Sequence, residues 1–85
     1  MARRIDKPAT LQRAREQIAE LERAATEAAL WQAHDRARGW LGALLIEDLV
    51  SIAAYEQLMT ALELAHARRD PVIRAAGGTV PTPCA

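Results

Sequence analysis

The chain has 85 residues, 51% of them apolar, and its 11 basic and 11 acidic side chains cancel to a formal net charge of zero. That length holds one domain with a thin core, because much of the apolar fraction is alanine and phenylalanine is absent. Balanced charge removes any global pull toward nucleic acid or an acidic membrane, the lone Cys84 excludes an intramolecular disulfide, and no run approaches the roughly 18 apolar residues of a membrane span.

Met1 to Lys7 reads as a short arm with Arg3, Arg4 and Lys7 as its cations and without the apolar stretch of a signal peptide, so a cytoplasmic location is expected. Pro8 suits a first helical turn, with Asp6 just ahead as a candidate cap. Leu11, Ala14, Ile18, Leu21, Ala25 and Ala28 then recur at alternating spacings of three and four, one helical stripe of a and d type. Half of these are alanines, which permit close approach but bury little area. The stripe predicts a weak seam against a second copy or a partner protein. Near Trp31 the apolar face rotates, and Leu30, Trp31, His34, Ala37, Leu41, Leu44 and Leu45 continue at helical spacing. Gly39 and Gly42 fall inside this run, each costing about 1 kcal/mol against alanine. The spacing therefore predicts either one long amphipathic helix to about Asp48 or two pieces meeting near Gly39.

Leu49-Val50-Ser51 is the expected reversal, since Ser51 can cap a new helix while Val50 staples onto Tyr55. The second helix runs from Ile52 to about Arg69. Its stripe of Ile52, Tyr55, Leu58, Met59, Leu62 and Ala65 is expected to lie against Trp40, Leu41, Leu44 and Leu45. Arg68 and Arg69 suit a helix C-terminus, and Asp70-Pro71 ends the helix or opens a short last turn through Ala76. Gly77-Gly78 stops it, and the tail to Ala85, with two prolines and little to bury, is expected to be disordered. The predicted architecture is all-α: a basic arm over 1–7, one helical-hairpin domain over 8–76 and a tail over 77–85.

The chemistry-bearing residues are few. His34 and His66 stand on separate arms, and a metal would need Asp35, Glu63 or Asp70 brought close to both; HExxH and CxxC are absent. The expected placement is His34 at the edge of the apolar face and His66 in a solvated last turn. No catalytic residue, metal, cofactor, small-molecule substrate or membrane partner is predicted, and Gly77-Gly78 lacks the strand and lysine of a phosphate loop. The reversal before Ser51 has the outline of a helix-turn-helix. However, every charge between Ala43 and Ala65 is acidic, namely Glu47, Asp48, Glu56 and Glu63, and a DNA duplex would repel such a reading helix. Positive charge gathers instead at Arg3, Arg4, Lys7, Arg13 and Arg15, the candidate DNA contacts, with a plain solvated face as the alternative. Trp31 and Trp40, nine residues apart, point to opposite faces of a straight helix at 100° per residue.

The run Arg38-Gly39-Trp40-Leu41-Gly42-Ala43-Leu44-Leu45, followed by Ser51-Ile52-Ala53-Ala54-Tyr55-Glu56 in a small chain rich in alanine and arginine, resembles the small accessory regulators of broad-host-range bacterial plasmids, the KorC-type repressors among them. The resemblance implies a transcriptional repressor or co-repressor of plasmid operons, and no functional residues carry over from it. The expectation is a helical homodimer acting through DNA or a partner repressor. The alternative is an interaction adaptor from a mobile element that does not touch DNA.

Overall fold

A computed structural model describes residues 5–76, and among them the chain is all-helical with no strand. Three helices are present: α1 over Pro8–Ala19, α2 over Glu27–Ile46 and α3 over Ile52–Ala75, with a 3₁₀ turn over Glu20–Arg23 after α1. α2 and α3 form the closest pair, an antiparallel hairpin, and α1 lies against both. Two ties fix its direction. Asp6, just before α1, bonds to Leu49 and Ser51 at the head of α3. Ala24, just past the 3₁₀ turn, accepts from Arg69 far down α3. α1 therefore runs alongside α3 in the same sense, and the core lies on the axis between Ile18 and Leu21, Leu30 and Leu41, and Leu58 and Leu62.

The expected long first helix is instead two helices, broken at Ala24–Thr26 rather than near Gly39. Thr26 is extended, and its hydroxyl oxygen accepts from the Ala29 amide at 3.1 Å, the bond that starts a new helix. The Ala24 carbonyl, left without a helical partner, takes both Nε and Nη2 of Arg69 at 3.0 and 2.8 Å. Gly39 and Gly42 sit inside the unbroken α2, where their propensity cost is outweighed by the buried Ala37, Leu41 and Leu44 around them.

The reversal falls where expected. Ile46 ends α2, and Asp48 at φ 60° lets the Asp48 and Leu49 amides turn back onto the Leu45 and Leu44 carbonyls at 3.1 and 2.8 Å. This is a Schellman closure with aspartate in the left-handed position that glycine usually holds. Ser51 caps α3 through its hydroxyl oxygen, which accepts from the Ala54 amide at 3.1 Å, and Val50 ahead of it is buried. Asp6 does not cap α1, whose N-cap is Lys7 without a side-chain bond. Its carboxylate accepts from the Ser51 amide at 2.7 Å, so it braces the head of α3 instead.

At the other end, α3 does not stop at Asp70-Pro71 but continues through the proline to Ala75. Ile73 is fully buried, and Arg74 pairs with Asp70 at 3.0 Å and Glu27 at 3.5 Å, which together hold the last turn against the lost amide of Pro71. Residues 1–4, with Arg3 and Arg4, and the tail over 77–85 lie outside the described residues.

Candidate functional site

The hairpin end carries the clearest surface feature. Ile46, in the last turn of α2, is 80% exposed, and Ile52, in the first turn of α3, is 68% exposed. Leu49 in the connecting turn and Ile5 beside it are also exposed, and the bond from the Asp6 amide to the Leu49 carbonyl at 2.9 Å holds the two segments together. Four aliphatic side chains thus share one end of the bundle, bordered by the exposed carboxylates of Glu47 and Glu56. Ile52 was assigned to the core by its spacing. It falls one turn above Tyr55, where the facing helix has already ended, and so has nothing to pack on. The rest of that stripe is placed as expected, with Leu58, Leu62 and Ala65 buried and Tyr55 and Met59 half-buried against the core.

Midway along α2 and α3 the two histidines meet. His34 is only 4% exposed, with Nε2 at 2.9 Å from Glu63 Oε2 on α3 and Nδ1 at 3.2 Å from Asp35 Oδ1. The His66 ring lies 5.3 Å from His34 and 4.3 Å from Trp31, and its Nε2 is buried without a hydrogen-bond partner. Both placements correct the sequence reading. His34 is inside rather than at the rim, and His66 is mid-helix because α3 extends well past Arg69. Of the residues named as potential metal partners, Asp35 and Glu63 are brought to His34, whereas Asp70 pairs with Arg74. Even so, no group of three or more His, Cys, Asp or Glu side chains converges on a metal-binding geometry among the described residues. The cluster cross-links α2 to α3. Trp31, half exposed, stands over it, while Trp40 packs partly against the core.

The heptad stripe is divided by the break at Ala24–Thr26. Ala14, Ile18 and Leu21 are buried within the chain and Leu11 is partly buried against the same core, so these positions contribute to the monomer's own core. Ala25 and Ala28 are exposed on the far side of the break. Of the basic candidates, Lys7, Arg13 and Arg15 are exposed and make no ion pair among the described residues. Arg13 and Arg15 project about 200° apart around α1, so they do not form a single phosphate-facing row. Arg68 stays exposed on the body of α3, while Arg69 is spent on the Ala24 carbonyl.

Among the described residues no helix is long and apolar enough to cross a membrane. The fold and its surface define an all-α three-helix bundle with an aliphatic end. Compared with known proteins, the chain matches no family model, no curated protein and no solved structure.

Proposed function

We propose that this chain is a small cytoplasmic interaction module that regulates by gripping a partner protein, the partner-mediated form of the co-repressor role implied by its likeness to KorC-type regulators. The supporting observation is the aliphatic end. A chain short of core-building residues leaves Ile5, Ile46, Leu49 and Ile52 exposed at one end of the bundle, and large aliphatic side chains gathered in solvent suit an interaction site. The acidic border of Glu47 and Glu56 suits a partner surface that is apolar at its centre and basic at its rim. Any self-association is assigned to the same end, because the larger buried members of the heptad stripe, Ile18 and Leu21, already lie inside the monomer.

The double substitution Ile46→Ser with Ile52→Ser tests this. It is expected to leave the helical circular dichroism and thermal midpoint unchanged while reducing, by about tenfold or more, the partner retained on the immobilised chain from a lysate of source cells. Equal retention by the two forms defeats the reading. A second reading, direct contact with DNA, draws on the unpaired Lys7, Arg13 and Arg15. It requires a low-salt gel shift on random duplex that weakens when Arg3, Arg4 and Lys7 become alanine, and no shift at low salt removes it.

A further inference from the structure

A groove of about 160 Å³ runs between α1 and α3, walled by Leu11, Ile18 and Leu58 and edged by Ala61, Gln57 and Arg15. Its size is that of one ring or one branched aliphatic group, comparable to the ~150 Å³ apolar cavities that take up benzene. Among the described residues, Arg15 is the only charged side chain lining it. Its own helix offers it no carboxylate, because the positions three and four away are Leu11, Gln12, Ile18 and Ala19. Arg23 is paired with Glu20 at 2.6 Å and Arg74 with Asp70 at 3.0 Å, each along its own helix, whereas Arg15, like Arg13, Arg36, Arg38 and Arg68, has no ion pair among the described residues; what sets Arg15 apart is its place on the groove. Across the groove, Ala54, Gln57, Leu58 and Ala61 add no charge, and the Gln57 amide supplies a second donor at the rim.

We propose that this groove binds a small monocarboxylate with an aromatic or branched aliphatic body, the apolar part seated on Leu11, Ile18 and Leu58 and the carboxylate held by the Arg15 guanidinium with help from the Gln57 amide. The apolar walls provide most of the attraction, and the single uncompensated cation selects the sign of the ligand's charge. The site lies on the α1–α3 side of the bundle and is separate from the aliphatic end.

Phenylacetate is the probe, read by amide chemical shifts in two-dimensional NMR of the full chain, with 2-phenylethylamine and toluene as controls. Saturable shifts at Leu11, Ile18, Gln57 and Ala61 are expected, with a Kd on the order of 1–10 mM for a ligand of this size. The amine is expected to bind at least about tenfold more weakly, and Arg15→Gln to weaken phenylacetate by about three- to tenfold while leaving toluene unchanged. Ala61→Met, which fills the groove, is expected to abolish binding of all three; should it fail to fold, the exposed Arg15→Gln carries the test. No saturable shift up to 50 mM overturns the proposal. Equal binding of acid, amine and toluene also overturns it, and assigns the groove to any apolar side chain, such as a leucine from a partner helix.

Discussion

Arg69 shows how one side chain settles where a helix ends. Its guanidinium donates twice to the Ala24 carbonyl, the group that the break between the 3₁₀ turn and α2 strands. Hydrogen bonds from a charged donor contribute about 1.5–3 kcal/mol, and partial exposure places this pair toward the lower figure. Arg69→Ala is expected to cost about 1–2 kcal/mol, read as a lower midpoint in urea at unchanged slope. Arg69→Lys is expected to recover only part of this, since an ammonium cannot reproduce the two-pronged grip. In the sequence, Arg69 was read as a cation complementing a helix terminus. Its type was legible and its partner was not, because that partner is a carbonyl 45 residues away.

At the scale of elements, α2 carries two glycines that no neighbour requires. A Cβ built on either Gly39 or Gly42 meets nothing within 4 Å, so alanine is accommodated at both. Gly39→Ala and Gly42→Ala are each expected to stabilise the fold by about 0.5–1 kcal/mol. That corresponds to a rise in Tm of about 4–8 °C per kcal/mol for a domain of this size, measurable by thermal circular dichroism. An unchanged or lower Tm would mean that α2 is bent or broken at these glycines. The two glycines drew the break to the wrong place in the sequence. Ala24-Ala25-Thr26 looks helical throughout because alanine carries no periodicity to interrupt, and the signal that marks the break is Thr26 followed by the acidic Glu27 in the first turn of α2. Ser51 was easier to read, standing between apolar runs that change phase on either side.

For the whole molecule, the heptad stripe marks a buried face as far as Leu21: Ala14, Ile18 and Leu21 are covered by the chain's own helices, while Ala25 and Ala28 stand exposed beyond the break. Periodicity identifies which side of a helix avoids water but is silent on whether the covering surface belongs to the same chain. Leu21, fully buried between the 3₁₀ turn and the bundle, decides the matter by experiment. Leu21→Ala is expected to destabilise the domain by about 2–5 kcal/mol, and Leu21→Glu to unfold it. A stripe serving only as an interface would instead yield a folded monomer. The aliphatic end was illegible for the converse reason. Ile52 continues the apolar spacing of α3 and is left in solvent in its first turn, whereas Ile46, about 200° around α2 from the buried Leu44, lies off the buried face altogether.

Asp6 joins these scales in time as well as in space. Its bonds to Leu49 and Ser51, like that of Arg69 to Ala24, bridge residues more than forty positions apart, whereas α2 and α3 are joined by a five-residue turn. Closing the short turn costs far less chain entropy than closing either long loop. The α2–α3 hairpin is therefore expected to form before the Asp6 and Arg69 bonds close. Asp6→Ala is expected to accelerate unfolding by about five- to tenfold in stopped-flow measurements while leaving the refolding rate nearly unchanged. The N-terminal segment acts as a latch on a finished hairpin, and what its loss shortens is the lifetime of the folded state.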